Sequence, residues 1–282
     1  MCCPIFSLSS YAATPGMVKW HNESADTTRI NNLLSEISQE NAPSLNDLVV
    51  TIGKKFIGTP YQAATLEGLP ETLTVNLDGM DCTTFVETVA ALAITIDENR
   101  NSWQDFLYNL QQLRYRQGHV DGYGSRLHYI SDWIVDNTHR GMLREVTDRM
   151  PGAIYHVKTL DYMSSHRDAY PAMSDDAVYE KIKNCEVGYR SHRFPYIKSA
   201  DLMSKKAATW LKEGDIIALT TKTPGLDVSH VGIVVMKDGV PYLLHASSKE
   251  GKVTIDPLPL SEYMRKNRNL TGARFIRLNK QQ

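Results

Sequence analysis

Ser229 to Ala246 reads SHVGIVVMKDGVPYLLHA. Two apolar, β-branched runs flank Lys237-Asp238-Gly239-Val240. Asp-Gly at such a junction is a strong signal for a two-residue hairpin, because both residues accept positive φ. In that register Lys237 opposes Val240, and counting back along both strands sets Gly232 opposite His245. His230 is two residues from Gly232 on the same face, diagonal to His245. Diagonal neighbours lie roughly 7–8 Å apart at the backbone, within reach of long side chains. Gly232 leaves space between the two rings. The other face carries Val231, Ile233, Val235, Tyr242 and Leu244. A three-residue loop would shift the parity and separate the imidazoles. The plain alternative is two histidines satisfied separately in a core.

Around this hairpin lie further short β-branched runs: GDIIALTT from Gly214, KVTIDPL from Lys252 and ARFIRL from Ala273. Helical signals precede them. Ser44 caps a helix with Leu48, Val49, Ile52 and Phe56 on its apolar face. A second helix runs from near Cys82 to about Asp97. A third opens at Ser102, with Trp103, Phe106, Leu107, Leu110 and Leu113 at helical spacing. Ser125 to Asn137 suggests a fourth, and Ser174 to Asn184 a short fifth. Between about Arg144 and Pro195 the periodicity weakens, which reads as an elaboration on a smaller core. Helices first and an antiparallel meander afterwards is the α+β pattern.

The chain has 282 residues, 42% of them apolar and 22% charged, with a formal net charge of −1. This balance gives no field favouring nucleic acid, and no apolar run is long enough for stable membrane insertion. A monomer is expected. Residues 1–25 read as the remnant of an export signal, with small Ser10 and Ala12 spaced as at a cleavage site, or as a disordered extension. The first option implies a periplasmic or otherwise exported protein. Cys2 and Cys3 fall within this stretch. Of the other two cysteines, Cys185 reads as a packing residue. No Cys-x-x-Cys or Cys–His spacing suggests zinc, and neither a metal nor another cofactor is expected.

Cys82 lies in GMDCTTFVE, Gly79 to Glu87, at the start of the second helix. Thr84 to Glu87 fits a capping box, and Asp81 offers a cap one turn earlier. Either register leaves Cys82 near unpaired N–H groups, which favour a thiolate and can hold an oxyanion. An inert buried thiol is the alternative. A nucleophilic cysteine needs a base oriented by a third polar group, and His230 and His245 are the strand-borne histidines.

Gly58-Thr59-Pro60-Tyr61, Asp81-Cys82-Thr83-Thr84-Phe85, Gly214-Asp215-Ile216-Ile217, Ser229-His230-Val231-Gly232-Ile233 and His245-Ala246-Ser247 together resemble the NlpC-type papain-like superfamily of bacterial cell-wall hydrolases. The resemblance implies a papain-like core, with a cysteine-bearing helix packed on a C-terminal antiparallel sheet. It implies Cys82 as nucleophile, His230 as base and His245 as the orienting third member, with the Tyr61 hydroxyl facing the cysteine. It also implies one domain over residues 26–282, with an insertion at about 115–205. The sequence departs from the common pattern at Thr83, at Gln62-Ala63-Ala64 and in that insertion. With DCTTFVETVAALA, SRLHYISDWI and LDVSHVGI it resembles the N-acetylmuramoyl-L-alanine amidase-like branch. That branch cuts the amide between the lactyl group of N-acetylmuramic acid and L-alanine. More typical relatives cleave the γ-D-glutamyl–diaminopimelate bond, and a non-catalytic wall-binding module is a third possibility. Peptidoglycan or muropeptide is the implied substrate. Arg126 is a candidate for a stem-peptide carboxylate and Trp133 for a sugar face. The plain alternative is a helix packing Leu127, Ile130 and Ile134 inward. Tyr61, Asp81, His128 and Ser229 complete the substrate-binding candidates, and Met163 to His166 is a weaker one.

Overall fold

The computed structural model describes residues 18–39, 44–204 and 209–280. The first seventeen residues of the expected signal remnant or extension lie outside the described residues. Val18–Trp20 (β1) pairs in parallel with Leu73–Val75 (β2). Glu23–Gln39 (α1) follows β1, with Ile30, Leu33, Leu34 and Ile37 buried. These four positions follow the i, i+3, i+4, i+7 spacing of an amphipathic helix.

Leu45–Lys55 (α2) starts as its cap demands, with the Ser44 side chain accepting from the Asp47 N–H. Cys82–Asp97 (α3) is buried at every position from Thr84 to Thr95. A helix apolar all round belongs in a core. Phe85 meets Phe56 edge to face at 6.5 Å, and Trp103–Arg114 (α4) packs on the other side of α3. The expected fourth helix begins later, as Ile130–His139 (α5), after a 3₁₀ turn at Tyr123–Ser125.

The main sheet is antiparallel. Its strands are Leu143–Glu145 (β3), Ala153–Val157 (β4), Arg193–Lys198 (β5), Ile216–Thr221 (β6), Val228–Lys237 (β7), Val240–Ser247 (β8), Lys252–Pro259 (β9) and Leu270–Leu278 (β10). The order is β4-β5-β10-β6-β7-β8-β9, with β3 also on β10. The last five strands match the expected runs, but β10 does not simply extend a meander: it lies between β5 and β6. Strands β3, β4 and β5 come from the weakly patterned middle of the chain, so part of that stretch belongs to the sheet itself. Tyr162–Ser165 (α6) and Asp176–Gly188 (α7), the latter capped by Asp175, lie between β4 and β5. Their side chains join Tyr123, Tyr129 and Phe194 in a small satellite core.

The hairpin has the expected register, Lys237 opposite Val240 and Ile233 opposite Leu244. Asp238 and Gly239 both take positive φ, 51° and 73°, as a type I′ turn requires. Val231, Ile233, Val235 and Leu244 face the helical layer. Val234 and Leu243 face a second core, roofed by Ser199–Leu202 (α8) and Leu260–Lys266 (α9). The architecture is α+β, with α3 seated on β7 and β8.

Candidate active site

Asp81 is the N-cap of α3. Its carboxylate accepts from the Thr84 N–H at 2.8 Å, and the Thr84 hydroxyl accepts from the Asp81 N–H at 3.0 Å. The earlier of the two capping registers is the one adopted, and Cys82 becomes the first helical residue. The Val231 backbone, the Thr83 side chain and the Cys82 backbone itself all act on this sulfur to favour its charged form. The thiol thus meets β7 one residue from His230.

The His230 Nε2 lies 2.6 Å from the His245 Nδ1, the rings nearly perpendicular at 86°. Gly232 is what permits this. A Cβ there would stand 2.9 Å from the Leu244 carbonyl oxygen and 3.1 Å from the His245 Cβ. This contact engages the Nε2 of His230 and leaves its Nδ1 as the other ring nitrogen. His245 is 1% exposed. Its Nε2 has no hydrogen-bond partner among the described residues, and the Asp256 carboxylate stands 3.5 Å away. Tyr263 covers the ring edge-on at 5.8 Å.

The electrostatics run against a resting thiolate. Burial, with the Asp81 charge beside it, pushes the Cys82 thiol up to about 11, against the pull of the Val231 N–H and the Thr83 hydroxyl. Burial lowers His230 to about 4, and burial with the neighbouring His230 lowers His245 to about 3. The helix end that was expected to hold a thiolate carries its own carboxylate cap, which opposes one. Burial, then the Cys82 and Asp81 charges, raises the Tyr61 phenol, which puts Tyr61 within electrostatic range of the sulfur.

A cleft of about 310 Å³ opens beside the helix start. Asp81, Thr83 and Glu87 of α3 line it, facing Arg126, Leu127, His128 and Tyr129, with Tyr162, Met163 and Tyr170 from the satellite region. Three substrate-binding candidates, Asp81, Arg126 and His128, therefore line one cleft, Asp81 opposite the other two. Arg126 is already matched, 2.8 Å from Glu67 and 3.3 Å from Glu71. The His128 Nε2 contacts the Tyr123 carbonyl at 2.8 Å, and burial keeps the ring well below its usual pKa. Ser229 is exposed on β7 beside His230. Trp133 requires a correction: at 3% exposed it packs in the main core and offers no face to a sugar. Of Met163 to His166, Met163 lines the cleft, whereas His166 stacks on Tyr162.

Cys185 is also not a simple packing residue. Its sulfur lies 3.3 Å from Asp132 and 3.2 Å from Arg116, and burial pushes the thiol up to about 12. Two contributors near the site went unread in the sequence. Glu87 pairs with Arg114 at 2.6 Å beneath the cleft, and Asp256 approaches His245. A β-bulge hides Asp256 from strand counting: Leu244 faces Ile255, but Tyr242 faces Pro259. Among the described residues no group of three or more His, Cys, Asp or Glu side chains is placed to hold a metal.

Residues 51–272 match the AmiA-like family, described as N-acetylmuramoyl-L-alanine amidase-like. Three crystal structures of an N-acetylmuramoyl-L-alanine amidase from Bacteroides uniformis are 40% identical, with TM-scores of 0.78, 0.80 and 0.79; the matches cover 82–84% of this chain and 99% of theirs. A Bacteroides fragilis protein provisionally named a xylanase is 42% identical, with a TM-score of 0.76, over 81% of this chain and 99% of its own. A Legionella pneumophila protein at 23% identity and a TM-score of 0.68 shares the fold, over 92% of this chain and 97% of its own. No curated protein matches the chain. With 222 consecutive residues inside the family's bounds, from Thr51 on α2 through Cys82, His230 and His245 to Gly272 on β10, the chain belongs to the N-acetylmuramoyl-L-alanine amidase-like family.

Proposed function

We propose that the protein is a papain-like cysteine amidase that hydrolyses the N-acetylmuramoyl-L-alanine amide of peptidoglycan or its fragments. The observation that carries this reading is the 2.6 Å contact between His230 and His245, in a chain whose Cys82 thiol opens the helix packed on the same hairpin. The Cys82 sulfur attacks the lactyl carbonyl while its proton passes to the His230 Nδ1. In the first turn of α3, the Thr84 N–H is taken by the Asp81 side chain and that of Phe85 by the Asp81 carbonyl. The Thr83 N–H is left for the oxyanion, beside that of Cys82, which acts on its own sulfur at rest. His230 then gives its proton to the leaving amine of L-alanine. Water, losing a proton to His230, hydrolyses the thioester and restores the thiol.

The family match and the relatives named as amidases support the muramoyl–alanine bond over the γ-D-glutamyl–diaminopimelate bond. A glycosidase would need a carboxylic acid and a carboxylate facing one bond. The carboxylates of this cleft are otherwise engaged: Glu87 with Arg114, Glu67 with Arg126, and Asp81 as a helix cap. Purified protein given defined muropeptides is expected to release peptides that begin with L-alanine, read by mass spectrometry, and to release no sugar from xylan. Cys82→Ala is expected to lower the rate by a factor of about 10³ or more. Full activity in that variant would overturn the mechanism. Products that keep L-Ala-D-Glu on the sugar would instead identify the endopeptidase.

A further inference from the structure

We infer that Asp256 is a positioning residue, the fourth member of a chain Cys82–His230–His245–Asp256 that fixes the tautomer of His245 and steadies the positive charge on the imidazole pair. The inference rests on the mechanism proposed above. If the Nδ1 of His230 receives the thiol proton, its Nε2 must carry a hydrogen and donate to the Nδ1 of His245, 2.6 Å away. The hydrogen of His245 is then on Nε2. That nitrogen is buried and lacks a hydrogen-bond partner among the described residues, an arrangement that costs stability unless something compensates. The groups facing His245 are His230 from β7, Thr254 and Asp256 from β9 and Tyr263 from α9. Asp256 is the one carboxylate among them, its Oδ2 3.5 Å from Nε2.

The local backbone aims it there. Three residues of β9, Asp256 to Leu258, are set against one of β8 at the bulge, and the Asp256 Oδ1 accepts from the Leu258 N–H at 2.9 Å. Bulges bend a strand and redirect its side chains. At 3.5 Å the contact is long for a hydrogen bond. Catalytic contacts tighten when charge develops, and here the charge arrives with the thiol proton. No proton need reach Asp256. His245 keeps its Nε2 hydrogen, and the charge is shared by the two rings.

Asp256→Asn preserves an acceptor for Leu258 and removes the charge. With an N-acetylmuramoyl-L-alanyl peptide as substrate, the variant is expected to lose about 10- to 100-fold in kcat with little change in KM. The acid limb of its kcat/KM profile is expected to move to lower pH, because the protonated pair has lost a stabilising charge. An unmoved limb would reduce Asp256 to a structural role and overturn the inference, whatever the rate. A second measurement needs no variant: ¹⁵N NMR of the wild-type protein at pH 7 is expected to show His245 protonated on Nε2, and protonation on Nδ1 overturns the inference. Cys82→Ala run alongside separates the two levels. An active Cys82→Ala sinks the mechanism, whereas an inactive Cys82→Ala with wild-type behaviour in Asp256→Asn sinks only the role of Asp256.

Discussion

Asp81 and Cys82 are adjacent and act on the same sulfur in opposite senses. The helix end favours negative charge on the thiol, and the carboxylate that caps that end opposes it. Asn at position 81 would keep the cap, since Asn serves as well as Asp there, and remove the opposing charge. Asp81→Asn is therefore expected to lower the Cys82 pKa and speed alkylation by iodoacetamide at pH 8, with thermal stability nearly unchanged. Below the pKa, each unit by which it falls raises the thiolate fraction about tenfold. In the wild-type protein the thiol, raised to about 11, should react slowly at pH 7 and faster as the pH rises. Slow labelling at neutral pH is thus compatible with catalysis, and a rate that did not rise with pH would contradict a protonated thiol. At Gly232 an added Cβ meets the carbonyl oxygen of Leu244, which cannot swing aside. Gly232→Ala is expected to cost about 1–3 kcal/mol in urea melts and to slow turnover by forcing the two histidine rings apart.

Among the elements, α3 and the β7–β8 hairpin were legible in the sequence because each depends on local rules. The capping box and the largely apolar run define the helix, and Asp-Gly defines the turn, so the parity that pairs His230 with His245 follows. Helix α1 carries an equally regular spacing in Ile30, Leu33, Leu34 and Ile37, but the export-like stretch ahead of it draws the reading toward an extension. Strands β4 and β5 are harder. Tyr155 and Val157 are exposed, so β4 lacks an inward-outward alternation, and Pro195 interrupts β5. The bulge in β9 is set by pairing with β8, and no local signal reveals it. Helix α5 shows the limit of reading chemistry from residue type, because Trp133 resembles a sugar platform until the fold buries it. Trp133→Ala is expected to lower stability by about 3–5 kcal/mol, measured by chemical denaturation, while KM for muropeptide in the folded fraction stays close to wild type.

For the whole molecule, histidines whose charged form is disfavoured by burial, His128, His230 and His245, make the fold sensitive to acid. The unfolded chain takes up a proton on each near pH 6.5, whereas the folded chain resists until about 4 for His230 and about 3 for His245. Between these limits the unfolded state binds more protons, so stability falls as the pH is lowered from 6.5 toward 4 and is retained above 6.5. Each such group contributes a slope of about 1.4 kcal/mol per pH unit. Asp26, Glu71 and Glu87, raised by burial, act in the opposite sense where they titrate. The measurable quantity is the difference between proteins: urea melts at pH 7 and pH 5 are expected to show a smaller loss for His245→Gln than for the wild type.

The place of β10 has a consequence for how the chain reaches this state. Strands β6 to β9 join neighbours through short connections and can pair as they leave the ribosome. The β4–β5 ribbon can form still earlier. Neither group touches the other across the sheet until β10 enters between them, pairing with β5 on one side and β6 on the other. It is the last strand in chain order, so the two halves wait with open edges until residues 270–278 have been made. Open edges invite pairing with other chains. The vulnerable moment for this protein is therefore before β10 emerges, when Cys82, His230 and His245 have already been made and the sheet is still in two pieces.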